Sequence, residues 1–133
     1  MTTPQDRLEA ELAINALIQR YARAVDIHGG PAQAACFTAD GYFEMSSGAR
    51  RDRAAMAASG LATDVRRRHF FTPPVITFTG SDAATGEGFC QILEFDPATG
   101  VQGPPLSVDY RDEYRRTAEG WLLASRLIKR SFA

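Results

Sequence analysis

The sequence predicts an α+β domain: three N-terminal helices followed by a long, curved, antiparallel or mixed sheet that closes into a cone. Two patterns carry this expectation. Helix-spaced apolar residues open the chain, and a succession of aromatic and β-branched stretches separated by turn signals completes it. At 133 residues the chain suits one domain, 1–133, because two would each be small for a self-sufficient core.

The elements follow in order. Thr3 can cap the first helix, Pro4 suits its first position, and Asp6 stands three residues after the cap. Ile14, Leu17, Ile18, Tyr21 and Val25 then repeat at the spacing of one buried face. His28-Gly29-Gly30-Pro31 stops that helix. Residues 31–37 predict a short second helix, Asp40-Gly41 a turn, and 42–45 a short strand. Residues 52–62 predict a third helix anchored by Met56 and Leu61. Residues 66–79 read as a strand in which Pro73-Pro74 must fall at a sheet edge or bulge. Strands over 86–95, 106–117 and 121–129 follow, joined by turns at 96–100 and 118–120. A curved sheet with helices on one face encloses an apolar concavity, the default site for a small molecule.

Composition narrows the function classes. With 44% hydrophobic residues and a net charge of −1 from 15 basic and 16 acidic side chains, the chain is not of the disordered type. It also lacks the basic excess of a nucleic-acid binder. Lys129 is the only lysine, which reads as compositional bias. Cys36 and Cys90 cannot build a disulfide framework and predict buried free thiols. No run of about 18 apolar residues offers a membrane span, and the start Met-Thr-Thr-Pro-Gln-Asp-Arg does not resemble a signal peptide. The expectation is a cytoplasmic protein with no nucleic-acid or membrane partner.

Four residues could carry chemistry. Tyr21 is either a core tyrosine or a hydrogen-bond donor to a substrate oxygen. Asp26 falls in the last helical turn, where the macrodipole disfavours an anion. It is either a solvated helix-end residue or a carboxylate placed to hold an imidazole. On an ideal helix Tyr21 and Asp26 lie about 140° apart, so they share a pocket only if it is broad or the helix end curls. Alternation puts His69 on one strand face with Phe71, and Arg68 and Phe70 on the other. His69 is either structural or a general base, since imidazole titrates near physiological pH. A carboxylate accepting its second N–H would fix the tautomer. Arg126, alternating with Leu122, Ala124 and Ile128, is either a snorkelling surface group or an anion anchor. The run Arg66-Arg67-Arg68 reads as an exposed edge and His28 as loop. The histidines and cysteines show no metal-ligand spacing, and Gly86-Glu87-Gly88 stands in the wrong context for a dinucleotide site. No Gly-x-Ser-x-Gly elbow supports a serine hydrolase.

Taken together, Tyr21-x4-Asp26, Phe37-Thr38-Ala39-Asp40-Gly41, Arg68-His69-Phe70-Phe71-Thr72, Asp112-Glu113-Tyr114-Arg115-Arg116 and Gly120-Trp121 with Arg126 resemble the SnoaL-like branch of the nuclear-transport-factor-two-like superfamily. The resemblance spans nearly the whole chain and implies the cystatin-like cone. Members with this constellation include dehydratases and a dehydrochlorinase. It therefore implies a cofactor-independent lyase, isomerase or cyclase acting on a small, apolar, cyclic molecule. In that reading His69 is the base, Asp26 orients it, Tyr21 donates to a departing hydroxyl or a carbonyl, and Arg126 stabilises developing negative charge. Tyr21 stands where the dehydrochlorinase has a lysine. Pro73 replaces an asparagine common four residues after the histidine. Phe43, Cys90, Ile92, Val108 and Tyr110 are the expected wall. The resemblance also implies a homodimer or homotrimer, no metal and no cofactor. Alternatives are a non-catalytic binding or assembly module and an epoxide hydrolase, whose Asp-Arg-Asp set would have to draw on Asp109 or Asp112.

Overall fold

The computed structural model describes residues 3–132; Met1-Thr2 and Ala133, the ends of the expected 1–133 domain, lie outside the described residues. Helix α1 runs Pro4–Arg23. Its start is a reciprocal capping box: the Asp6 N–H donates to Thr3 Oγ1 at 3.0 Å and the Thr3 N–H to Asp6 Oδ2 at 2.9 Å. Those two bonds, the backbone one first, hold the Asp6 carboxyl below its ordinary range. Ala10, Ile14, Leu17, Ile18, Tyr21 and Ala22 form the buried stripe. Each large apolar side chain so removed from water contributes about 1.5–3 kcal/mol.

The helix does not simply stop at His28. Residues Ala24–His28 rewind as a π-helix, closed by the Gly29 N–H donating to the Ala24 carbonyl at 2.8 Å. Gly29 adopts φ 101°, a left-handed conformation open to glycine. Helix α2 then spans Gly30–Ala34, shorter than the 31–37 expected. The chain leaves it because Cys36 already accepts a sheet bond from the Leu123 N–H at 2.9 Å.

Strand β1 covers Phe37–Met45 and β2 Arg50–Asp52, followed by helix α3 over Arg53–Ala58. Two expectations are corrected here. Asp40-Gly41 is no turn but part of a bulge in β1, between the pairings Phe37–Leu123 and Tyr42–Ser125. A Cβ at Gly41 would stand 2.9 Å from the Leu123 carbonyl oxygen and the Phe37 side chain, so a close strand crossing uses the glycine. The third helix ends at Ala58 instead of 62, leaving Met56 buried and Leu61 exposed. The Ser59 carbonyl is bound by the Gly30 N–H at 3.1 Å, and the Ser59 hydroxyl donates to the Ala55 carbonyl. These bonds turn the chain out of the helix.

The remaining strands are β3 Arg66–Phe71, β4 Val75–Gly80, β5 Ala83–Asp96, β6 Val101–Gln102, β7 Leu106–Thr117 and β8 Gly120–Arg130. The stretch 66–79 thus splits at Thr72-Pro73-Pro74, whose prolines cannot donate to a ladder, and both halves pair along β5. The sheet order is β2-β1-β8-β7-β5-β3, with β4 and β6 also on β5. Every pairing is antiparallel except β1 with β8. The result is the expected curved, mixed sheet with helices packed on one face. The alternation along β8 breaks at Ala124, which the β7–β8 register skips, so Arg126, opposite Asp112, comes into phase with Leu123, opposite Tyr114.

Gly86 and Gly88 have a packing role on that face. A Cβ at either would lie 2.6 Å from the Tyr114 hydroxyl or 2.5 Å from the Tyr110 hydroxyl, so both rings lie across bare backbone. Among the described residues no helix is long and apolar enough to cross a membrane.

Candidate active site

The π turn decides where Asp26 points. Inserting a residue into the last turn changes the rotation between Tyr21 and Asp26 from that of an ideal helix, and both side chains meet the same strand, β3. Tyr21 packs edge-on against Phe71 with ring centroids 6.0 Å apart. Asp26 grips His69 twice: its Oδ2 accepts the His69 backbone N–H at 2.7 Å, and its Oδ1 pairs with the ring Nδ1 at 2.5 Å. The first bond is available because β3 is an edge strand whose outward backbone donor has no neighbouring strand. The helix-end carboxylate therefore satisfies the sheet edge and orients the imidazole together. The side chains are 5% (Asp26) and 17% (His69) exposed. With Nδ1 engaged by the carboxylate, Nε2 is the second ring nitrogen, turned away from Asp26.

His69 stacks on Phe71 at an interplanar angle of 14°, with centroids 6.0 Å apart, which places them on one strand face as alternation predicts. Across the sheet His69 pairs with Ile92 and Phe71 with Cys90. Cys90, Val108 and Tyr110 form a buried apolar cluster, with Phe71, Ile92, Leu106 and Ile128 against it. Cys90, Ile92, Val108 and Tyr110, four of the five residues expected as wall, share this cluster, which meets His69 through Phe71 and Ile92. Phe43 lies apart from these four, packed against the main core that contains Tyr21. Burial pushes the Cys90 thiol up to about 12, so it stays a neutral thiol. Tyr21 is likewise raised by burial and stays a neutral hydroxyl; its oxygen accepts from Gln33 Nε2 at 3.5 Å.

Arg126 departs from both of its expected roles. It neither snorkels nor stands open as an anion anchor, but is 0% exposed. Its Nε donates to Asp112 Oδ1 at 2.8 Å and its Nη2 to Asp112 Oδ2 at 2.7 Å. Asp112, also fully buried, accepts a third bond from the Tyr114 hydroxyl at 2.7 Å. The guanidinium is boxed by the rings of Tyr21, Phe71 and Tyr110, whose centroids lie 4.3, 4.8 and 4.9 Å from Cζ. Burial would lower its proton affinity, but the charge and hydrogen bonds of Asp112 outweigh that and raise it. Nη1 alone has no partner among the described residues. Asp112 is the site residue that sequence reasoning underrated. The available signal was its phase: it alternates with Val108, Tyr110 and Tyr114 on the buried face of β7.

The Asp-Arg-Asp set of the epoxide-hydrolase alternative is not assembled. Asp112 joins Arg126, whereas Asp109 accepts from the Ser131 hydroxyl at 2.7 Å. Among the described residues no three His, Cys, Asp or Glu side chains cluster as metal ligands. His28, expected in a loop, closes the π-helix and is exposed. Arg66, Arg67 and Arg68 are exposed on the edge strand, as expected. A groove of about 680 Å³ is lined by Val75, Phe89, Arg111 and Leu127 and reaches Tyr110 and Ile128 of the apolar cluster; neither Asp26 nor His69 lines it.

The fold has known relatives. A family model for the SnoaL-like domain matches residues 6–127. An NTF2-like protein with a cystatin-like fold from Novosphingobium aromaticivorans is 27% identical, with a TM-score of 0.81 over 95% of this chain and 84% of that one. Rv3472, a function-unknown protein from Mycobacterium tuberculosis, is 29% identical, with a TM-score of 0.81 over 97% of this chain and 76% of that one. A type 2 hexachlorocyclohexane dehydrochlorinase shares the fold alone, at 18% identity and a TM-score of 0.83, over 98% of this chain and 90% of that one. No curated protein matches the chain. With the curved mixed sheet and the matched span in agreement, the chain belongs to the SnoaL-like domain family of the nuclear-transport-factor-two-like superfamily.

Proposed function

We propose that the chain, acting as one domain over 1–133, is a cofactor-independent lyase of the dehydratase type, or an isomerase or cyclase working through the same base. Its substrate is a small, apolar, cyclic molecule bound on the helix side of the sheet. The observation that carries this reading is the doubly anchored Asp26–His69 pair beside an apolar cluster. A carboxylate fixed by a backbone N–H holds Nδ1, so Nε2 is basic and aimed by the fold. In this scheme His69 Nε2 takes a proton from a carbon next to an electron-withdrawing group. Asp26 stabilises the imidazolium that forms. The neutral Tyr21 hydroxyl donates to the leaving hydroxyl or the carbonyl. Arg126, held by Asp112 through Nε and Nη2, contributes its field from beneath the rings.

A solved structure of the same fold is a hexachlorocyclohexane dehydrochlorinase, and an elimination from a small cyclic molecule is in keeping with that neighbour. The test is His69→Ala, screened against cyclic β-hydroxyketones for loss of water. Turnover should fall at least about 100-fold while the circular dichroism spectrum and unfolding midpoint are preserved. Full-strength turnover by the folded variant would remove His69 as the base.

The same reading includes a homodimer or homotrimer. Val75, Phe89 and Leu127 are exposed apolar groups around the 680 Å³ groove. Light scattering at micromolar concentration checks it, and a monomer there would refute it. The unpaired thiols of Cys36 and Cys90 support a reducing, cytoplasmic setting.

A further inference from the structure

The buried charges at the site have a consequence for substrate choice. Among the described residues the buried ionic side chains are Asp112 and Arg126, and they neutralise each other at 2.7 and 2.8 Å. Asp26, nearly buried, adds a further negative charge beside His69. The interior thus holds two carboxylates against one guanidinium. That guanidinium has two of its three nitrogens committed to Asp112. Only Nη1, buried and without a partner among the described residues, is left to donate to a ligand oxygen. An anionic ligand entering this interior would lose its hydration and face two carboxylates with no unspent positive charge. A neutral carbonyl or hydroxyl oxygen needs only one donor, which is what Nη1 supplies.

We propose that Asp112 is a specificity-determining residue that makes the interior select uncharged, oxygen-bearing substrates over carboxylates, by spending the charge of Arg126 while leaving Nη1 free. This rests on the interior being the substrate site, as proposed above. It makes Asp112 a residue that acts through Arg126, and its signature is a ratio of affinities rather than a loss of activity. The Tyr114 hydroxyl, donating to Asp112 Oδ2, and the flat approach of Tyr114 over Gly86 hold the carboxylate in place.

The experiment compares two probes of one shape, 2-acetylnaphthalene and 2-naphthoate, by titration calorimetry on the full chain near neutral pH. The wild type should bind the ketone at least about tenfold more tightly than the carboxylate. Asp112→Asn, which keeps the shape and removes the charge, should erase or reverse that preference. Asp112→Ser, which leaves room for water beside the guanidinium, carries the same expectation should the asparagine variant not fold. Equal or tighter binding of 2-naphthoate by the wild type would overturn the proposal. So would binding of neither probe, or an unchanged preference in a folded Asp112 variant. His69→Ala should keep the wild-type preference while losing turnover, so an error about the base and an error about charge selection give different results.

Discussion

Two acid–base pairs are built into the helix side of the sheet, and they differ in almost every respect. Asp112–Arg126 sits between central strands β7 and β8, fully sealed and bidentate, under three aromatic rings. Asp26–His69 sits at the seam between the π turn and edge strand β3, with the imidazole still partly open. A sealed pair cannot exchange protons with a ligand, so it sets the field and the packing. A pair at a seam can hold one atom fixed and offer another. The contrast teaches that charge and burial alone do not tell the two pairs apart; position relative to the sheet edge does.

The comparison can be broken most forcefully at the sealed pair. Asp112→Ala leaves a buried guanidinium without its counter-ion and should destabilise the protein by about 3–5 kcal/mol, read from urea unfolding. A loss near zero would mean that the pair is solvated and the contrast false. Alkaline unfolding sharpens the same point. Burial, reinforced at Tyr110 and Tyr114 by the Asp112 charge, raises these hydroxyls and that of Tyr21 above the ordinary phenol range, and burial lifts the Cys90 thiol to about 12. The folded state therefore keeps protons that the unfolded chain releases. The stability these groups contribute is fully present below about pH 8.5 and falls as the pH rises through about 9–11, by up to about 1.4 kcal/mol per pH unit for each group. Urea midpoints measured across that range check the sign; a midpoint that rises would contradict it.

The seam pair should respond in the opposite currency. Asp26→Asn keeps an oxygen for one of the two bonds and should cost only about 1 kcal/mol of stability. It should nevertheless slow an elimination at least about 100-fold, because the tautomer of His69 is no longer enforced. If the stability loss of Asp26→Asn matched that of Asp112→Ala, the two pairs would be doing the same job.

These pairs also show what a linear reading can and cannot reach. Asp26 was legible because an acid in a last helical turn is locally unfavourable, and His69 because strand alternation sets its face. Their meeting depends on the π turn, which no residue pattern announces, since the five residues from Ala24 to His28 would equally continue an α-helix. Arg126 was legible as a charge on a buried face, but not its partner. Matching Asp112 to Arg126 needs the β7–β8 register, and the bulge at Ala124 shifts that register in a way alternation does not encode. Asp40-Gly41 looks like a turn by composition, yet the missing Cβ of Gly41 serves a crossing with β8. Local chemistry was readable in each case, and the pairing across strands was not.

The widened turn at Ala24–His28 makes the proposed reactive geometry depend on counting. Shortening that stretch by one residue would let the helix wind on evenly and swing the acid by about 100° around the axis. Every group would still be present, but the imidazole would lose its anchor and the outer strand its bonding partner. In this molecule the length of one loop of backbone fixes the Asp26–His69 contact as much as the identity of either side chain.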